Sequence, residues 1–431
     1  EVEKKIGKIP QDEKGLFNHN SYCAIAHTRW ATHGKVSQEN AHPIFSQSKQ
    51  LCIIHNGIVE NFEELKKKLE NKGFVFSTQT DTEVIANLIE FHLKENSKDL
   101  KEAVRKALLE IQGNYAVIVM HKDFFELICA KNSSPLVLGI GNNELFIASD
   151  VTAFLPYTKK AIYLDDNELA VIGKTHNIYS VESGKEIKKN VNEVNWTVEQ
   201  AQKGNFEHFM LKEISEQPTT IKNAFSQPKE NFEKVANIIK QAKGVFFIGC
   251  GSSFHACLCA SYFFSDIAKM HVNPVLASEF SNYHSFLTKD TLVIAVSQSG
   301  ETADVLDAVK TAKKAGSKIV SIVNVLGSSL ARISDEVILM NAGPEICVLS
   351  TKTYTSQLSV LLLLSFTVSG KMQDGLKLLE QTAKESENVI QSTKQKAQSL
   401  AKKFSLSKSL FVIGRQVAYP TALEAALKIN E

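Results

Sequence analysis

The stretch TLVIAVSQSGETADVLDAVKTAKKAG, residues 291–316, decides how the second half of the chain is read. TLVIAV is a short apolar run of strand type, SQSGE is a turn, and TADVLDAVKTAKKAG has the helical spacing of apolar residues and ends in glycine. A second strand, KIVSIV at 318–323, follows. Upstream the same order occurs: helix FEKVANIIKQAKG, strand VFFIG at 245–249, loop CGSS at 250–253 and helix FHACLCASYFF. Such alternation predicts a parallel sheet with helices on both faces, the doubly wound α/β class. VFFIG is echoed by LFVIG at 410–414, again between helical segments, so an internal duplication with a second strand there is expected.

The first half reads differently. Strand-like runs CAIA (23–26), LCIIH (51–55), YAVIVM (115–120), FELICA (125–130), PLVLGI (135–140) and LFIAS (145–149) crowd around two amphipathic helices at 61–73 and 81–95. This is an α+β pattern. Between the halves, residues 194–231 are polar and helical, with Pro218 and Pro228, and are expected to be a linker.

A length of 431 residues implies more than one core. The composition, 43% hydrophobic and 22% charged with a formal net charge of +2, is that of a globular protein and argues against a polyanion or nucleic-acid binder. LSVLLLLSF at 358–366 is about half a membrane span and reads as a buried helix, so no membrane partner is expected. Seven scattered cysteines fit a reducing compartment, and Cys257-x-Cys259 lacks a second ligand pair, so no metal is expected. The chain opens on Glu1 and closes on Glu431 inside a helical run, and both ends are expected to be cut.

The candidate chemistry lies in loops. Ser297, Gln298, Ser299 and Thr302 at a strand-to-helix turn suit a phosphate, since they combine hydroxyls with helix N–H groups. Plain helix capping is the alternative. Ser252 and Ser253 hold the same place on the previous unit, and Ser350 in VLSTKT opens a further helix, so three hydroxyl-rich loops are expected to converge. No Walker lysine pattern or GxGxxG is present, which favours a small phosphorylated polyol over a nucleotide. Asn56-Gly57 after strand LCII has the groups of an oxyanion hole, yet by itself the dipeptide reads first as a tight turn. Thr80 and Glu83 read as a capping box, with Asp81 placed to hold an ammonium group. His42, before Pro43, reads as structural. Glu424, Lys428 and Glu431 share a helix face, usually a solvated ion-pair stripe, and beside a sugar phosphate a proton-moving pair.

Taken in order, HTRWATHG, HNGIVEN, TDTEV, CGSS, SQSGET, STKT and YPTALEAALK resemble the isomerising glutamine:fructose-6-phosphate aminotransferases along the whole chain. The resemblance implies an α+β N-terminal-nucleophile hydrolase domain of the class II glutamine amidotransferase type, followed by α/β doubly wound SIS (sugar isomerase) domains. The implied boundaries are 1–193 for the amidotransferase domain, 194–231 for the helical linker, 232–376 for the first SIS domain, 377–400 for a helical connector and 401–431 for the start of a second.

It also implies roles. Arg29 would bind the glutamine α-carboxylate with Thr32 and His33, Asp81 would hold the α-amino group, and Asn56 with Gly57 would form the oxyanion hole. Trp30 would gate ammonia. The nucleophile would be a cysteine at the first position of the mature protein, a role assigned to none of the seven here, so this chain alone is expected to be inactive. Ser297, Gln298, Ser299 and Thr302 would hold the sugar phosphate, with Ser252, Ser253 and Ser350 near its hydroxyls. Glu431 and Lys428 would move the proton between C1 and C2, while the family's ring-opening histidine and Schiff-base lysine are expected beyond Glu431. Ser252, Leu349 and Asn430 depart from the family's usual threonine, alanine and lysine.

The resemblance further implies L-glutamine and D-fructose 6-phosphate as substrates, no cofactor, a cytoplasmic location and a homodimer. Two other readings are a non-catalytic SIS sugar-phosphate sensor and a different class II amidotransferase. TRWATHG and HNG argue against the first, and the lack of a Gly-rich nucleotide segment after residue 195 argues against the second.

Overall fold

The computed structural model describes residues 2–7, 21–29, 34–96 and 99–430. The chain divides into two compact units, Glu1–Asn195 and Trp196–Glu431.

The first unit is built on two antiparallel sheets. One has the order β1 (Ile44–Phe45), β2 (Leu51–Val59), β3 (Gly113–His121), β4 (Leu127–Asn132), β8 (Glu168–Ile172), β9 (His176–Ser180), β10 (Glu186–Ile187); the other runs β11 (Asn192–Glu193), β7 (Lys160–Tyr163), β5 (Val137–Ile140), β6 (Leu145–Ala148). Alternation along β2 and β3 sorts their side chains to opposite faces. Leu51, Ile53, Val117 and Val119 pack under helices α1 (Phe62–Glu70), α2 (Thr82–Asn96) and α3 (Leu100–Glu110). Ile54, Ala116 and Ile118 meet Leu138 and Ile162 of the second sheet. Helix α3 was not foreseen, although Asp99 marks its start by accepting the N–H of Glu102 at 3.2 Å.

Three local expectations are corrected. CAIA forms no strand, since residues 23–29 pair with no neighbour in a ladder. Asn56-Gly57 is not a turn: both residues lie inside β2, paired with Ala116 and Tyr115. Thr80 and Glu83 form no reciprocal capping box, because the Glu83 carboxylate accepts the N–H groups of Ser77 at 2.8 Å and Thr78 at 2.6 Å.

The second unit is a parallel five-stranded sheet in the order β13 (Asn273–Leu276), β12 (Gly244–Gly249), β14 (Thr291–Ser297), β15 (Lys318–Val323), β16 (Glu336–Leu339). The uninterrupted apolar run of β14 follows from burial on both faces. Leu292, Ile294 and Val296 face one core with Phe247 and Leu361, while Val293 and Ala295 face another with Val305 and Val309. Helices α5 (Phe209–Phe225), α6 (Lys229–Gln241), α7 (Ser252–Phe263), α10 (Lys352–Val368) and α11 (Met372–Phe404) sit on the first face, and α8 (Ala303–Lys314) on the second. Short helices α4 (Val198–Ala201) and α9 (Ser329–Ile333) and the last helix, α12 (Ala418–Asn430), complete the unit. LSVLLLLSF lies within α10, and no helix among the described residues is long and apolar enough to cross a membrane.

LFVIG at 410–414 is not a strand here. Phe411 and Ile413 are 91% and 92% exposed, and the segment has no neighbouring strand among the described residues, without which an extended run has no ladder to join.

Candidate functional site

In the first unit, three stretches meet at the end of β2. His27 Nε2 lies 2.8 Å from Asn56 Oδ1, and the Asn56 amide nitrogen donates to Ser149 Oγ at 3.1 Å. The amide is thereby oriented: its oxygen accepts from the imidazole, and its nitrogen keeps a second hydrogen to donate. Gly57 has φ +130°, and a Cβ there would stand 1.9 Å from the carbonyl oxygen of Asn114 on the neighbouring strand, so only glycine fits. Asp81, buried at the start of α2, accepts the N–H of Val59 at 2.8 Å. Arg29 is held by the backbone, donating to the carbonyls of Lys35 at 3.0 Å and Gly34 at 3.4 Å. Lys35 is tied in turn to Gln79, whose side-chain oxygen accepts its N–H at 3.2 Å. Residues 27–29, 34–35, 55–59 and 79–83 therefore share one locus. Trp30, Thr32 and His33 lie outside the described residues.

Behind Asn56 stands a histidine cluster that sequence reasoning missed, apart from His42. His27 and His42 stack with ring centroids 4.2 Å apart. His42 Nδ1 accepts the N–H of His55 at 3.2 Å, and Thr82 Oγ1 lies 3.1 Å from His55 Nδ1. Burial drives all three imidazoles towards the neutral form, His42 to about 2 and His55 to about 4. His42 is buried, with its ring stacked on His27 and its Nδ1 taken by the His55 N–H. Burial likewise raises every one of the seven thiols, Cys52 and Cys259 to about 11, so none is poised as a thiolate.

In the second unit the strand order reverses between β12 and β14. The chain goes outward from β12 to β13 and then returns to β14 on the other side, which opens a crevice at the carboxyl ends of β12 and β14. The loops 250–253 and 297–302 leave those two ends. Ser297 Oγ lies 3.0 Å from Thr302 Oγ1 and accepts the N–H of Gly300 at 3.0 Å; Ser299 Oγ accepts the N–H of Glu301 at 3.1 Å. Gly300 has φ +67°, and a Cβ would stand 2.1 Å from Ser328 Oγ. The carbonyl of Gln298 accepts the N–H of Asn324 at 3.1 Å. Asn324 also donates to the carbonyl of Gly343 at 2.6 Å, which brings in the third loop, where Ser350 Oγ is 2.7 Å from Thr353 Oγ1.

Thr302 at the start of α8 gives its helix no side-chain cap bond, and Gly251 at the start of α7 has no side chain to give one. Their first-turn N–H groups stand at the mouth of the crevice with positive dipole ends, an arrangement suited to an anion.

Helix α12 meets α7 at the crevice in a four-residue network that includes one residue not singled out in the sequence, His255. Ser252 Oγ donates to Glu424 Oε1 at 2.8 Å, His255 Nδ1 lies 2.7 Å from Glu424 Oε2, and Lys428 Nζ is 2.9 Å from Ser252 Oγ and 3.1 Å from Glu424 Oε1. Glu424 is only 6% exposed, so the expected solvated stripe is instead a buried network. Burial alone would raise its carboxyl pKa, but bonds from His255, Ser252 and Lys428 hold it below the usual range. Ser253 is buried in the first turn of α7, its N–H donating to the Cys250 carbonyl at 3.1 Å. Glu431 lies outside the described residues. The i, i+4 spacing of Glu424 and Lys428 was visible in the sequence; their partners on α7 were not, because they lie more than 160 residues away.

A glutamine amidotransferase domain family matches residues 27–156, and the SIS domain family matches residues 238–366. The chain is similar to the glutamine–fructose-6-phosphate aminotransferase [isomerizing] of Thermococcus kodakarensis, 42% identical over 443 residues, covering 100% of this chain and 73% of that one. The Pyrococcus horikoshii protein of the same name is 42% identical over 438 residues with the same coverage, and that of Thermotoga maritima 40% over 449. Among solved structures, the C-terminal domain of glucosamine-fructose-6-phosphate aminotransferase from Francisella tularensis is 30% identical, with a TM-score of 0.47, over 53% of this chain and 68% of that one.

Proposed function

The chain belongs to the isomerising glutamine–fructose-6-phosphate aminotransferase family, and from that premise we propose how its residues divide the reaction. The enzyme transfers the amide nitrogen of L-glutamine to D-fructose 6-phosphate and isomerises the product to D-glucosamine 6-phosphate, a step of amino-sugar synthesis.

In the first unit, Arg29 faces the glutamine α-carboxylate, where a planar guanidinium gives both charge and orientation. Thr32 and His33 line the same pocket, Asp81 takes the α-amino group, and Trp30 gates the released ammonia. The Asn56 amide and the Gly57 N–H stabilise the oxyanion that forms as the amide carbon becomes tetrahedral. His27, bonded to the Asn56 oxygen, keeps the donor side of that amide turned towards the substrate. The nucleophile is a cysteine at the first position of the mature protein, not one of these seven.

In the second unit, Ser297, Gln298, Ser299 and Thr302 grip the phosphate with the N-terminus of α8, and Ser252, Ser253 and Ser350 meet the sugar hydroxyls. Lys428, with Glu431, serves the proton transfer between C1 and C2, its ammonium held in place by Glu424. The portions are an amidotransferase domain at 1–193, a linker at 194–231, an SIS domain at 232–376, a connector at 377–400 and the start of a second SIS domain at 401–431. The protein works in the cytoplasm as a homodimer.

The observation that carries this reading is a single chain, 42% identical along its whole length to named relatives, in which both domain families occur and the hydroxyl-rich loops meet at a strand switch point. Calorimetric titration with fructose 6-phosphate and with glutamine tests it. Heat with both ligands is expected. Heat with the sugar phosphate alone favours the sensor, and no heat with either overturns the assignment.

A further inference from the structure

One turn of α5 holds three other segments of the second unit, and two of its three charged residues are almost completely buried. Lys212, 9% exposed, points its ammonium at the carboxyl end of α4 and donates to the carbonyls of Glu199 at 3.1 Å, Gln200 at 2.6 Å and Gln202. Helix α4 lies in the segment that enters this unit from residue 196, and its amino end is closed by a reciprocal Thr197–Gln200 capping box. The Lys212 ammonium thus supplies the other cap, satisfying carbonyls that a four-residue helix leaves open.

The neighbouring residue reaches in another direction. Glu213, 2% exposed, accepts the backbone N–H groups of Ile346 at 2.7 Å and Cys347 at 3.1 Å through one carboxylate oxygen. Its second oxygen is buried without a partner among the described residues. One turn on, Glu216 accepts the ammonium of Lys352, the first residue of α10, at 2.6 Å and lies 3.6 Å from Lys212. The loop between residues 343 and 351 is fixed at its far end by Glu345, which accepts the N–H groups of Thr351 at 2.8 Å and Thr353 at 3.1 Å. A side chain on Gly343 would come within 3.8 Å of Gln200 Nε2 and 3.9 Å of Lys352 Nζ, so α4, this loop and the Lys352 ammonium meet at one point.

The loop so gripped is the one that carries Ser350. It has no regular secondary structure, and Val348 at its tip is 78% exposed, so its shape is set by the carboxylates that bind its N–H groups. A buried carboxylate that accepts two successive backbone N–H groups fixes both peptide planes. Its loss would leave two donors to find water and free the loop to vary.

We propose that Glu213 is a positioning residue of the sugar-phosphate site, acting through the N–H groups of Ile346 and Cys347. With Lys212, Glu216 and Lys352 it makes the docking of the 196–208 segment a condition for the geometry of the Ser350 loop. Whatever loosens that segment loosens the loop, and a ligand that orders the loop tightens the segment. The inference rests on the reading of the second unit as a sugar-phosphate site.

The test is calorimetric titration of fructose 6-phosphate into the full chain and its variants, with hydrogen exchange of peptides spanning 196–208 and 340–351. The wild type must first give heat; if it does not, the sugar-site reading fails before this one is reached. Glu213→Ala is expected to weaken binding about tenfold, and Glu213→Gln, which keeps an acceptor oxygen, to stay within about threefold of wild type. Lys212→Met is expected to speed exchange in 340–351 as well as in 196–208, and the double variant Lys212→Met/Glu213→Ala to bind only as weakly as Glu213→Ala. Unchanged affinity in Glu213→Ala with a normal melting curve overturns the positioning role, as does a Glu213→Gln variant as weak as the alanine one. If Lys212→Met speeds exchange in 196–208 alone, or the two substitutions add, the coupling is overturned.

Discussion

Glu424 on α12 and His255 on α7 lie 2.7 Å apart, carboxylate oxygen to imidazole nitrogen, and through that pair the last helix is bound to the wall of the crevice at the ends of β12 and β14. The same carboxylate holds Ser252 and Lys428, so one buried group sets the positions of three side chains in the crevice. Replacing Glu424 by alanine should remove the carboxylate that pairs with Lys428 and accepts from Ser252. A loss of about 3 kcal/mol is expected, typical when one partner of a buried pair is removed. Fructose 6-phosphate affinity should fall with it. Thermal unfolding and calorimetric titration of the same variant decide the matter, and a melting curve identical to wild type would sink the idea that this pair holds α12.

Gly57→Ala should destabilise the first unit by about 2–4 kcal/mol, because φ +130° and a 1.9 Å approach to the Asn114 carbonyl both exclude a Cβ. Gly73→Ala is the control. It also has a positive φ, +87°, but nothing lies within 4 Å, so it should cost about 1 kcal/mol. Urea-dependent oxidation of Met120 on β3 reads the first unit separately from the second. Equal costs for the two variants would show that strand contact at Gly57 does not matter.

The histidine cluster makes stability pH-dependent in a defined direction. Unfolded histidines titrate near 6.5, whereas burial lowers His42 to about 2 and His55 to about 4. Below about pH 6.5 the unfolded chain therefore binds protons that the native unit refuses, and stability falls as pH is lowered. The expected loss is about 1.4 kcal/mol per pH unit for each of these two residues, easing for His55 below about pH 4, where it protonates in the native state as well. The Met120 urea midpoint should drop between pH 7 and pH 5, and His42→Gln should flatten that dependence. A midpoint that rises on acidification would contradict the cluster's neutral state.

Ser297→Ala removes the hydroxyl that accepts the Gly300 N–H and pairs with Thr302. Hydrogen bonds to charged groups contribute about 1.5–3 kcal/mol, so fructose 6-phosphate affinity should fall about 10- to 100-fold. Binding of glutamine should not change. Calorimetry with each ligand separates the two, and an equal loss for both would point to misfolding rather than a lost phosphate contact.

How much of this was legible in the sequence varied with range. The apolar run of β14 and the helical spacing of α8 announced the parallel sheet, because a strand buried on two faces has no room for polar positions. The serine-rich turns were legible for the same local reason: they sit between a strand and a helix in the chain itself. Asn56-Gly57 misled when taken alone, since its turn propensity is local, while its place inside β2 is fixed by pairing with Ala116 and Tyr115, about sixty residues on. LFVIG misled in the opposite sense, reading as a strand where the structure has no neighbour for it to pair with.

By itself the sequence determined the two fold classes and the residue types brought to each loop, both of which follow from spacing along the chain and from what each side chain can bury. Only the tertiary structure decided the pairs: His27 with Asn56, His255 with Glu424, Glu213 with the N–H groups of Ile346 and Cys347. Those partners lie 29 to 169 residues apart. No periodicity carries such information, because a buried polar group takes whichever donor the folded backbone brings within about 3 Å, and that choice is made when the layers close.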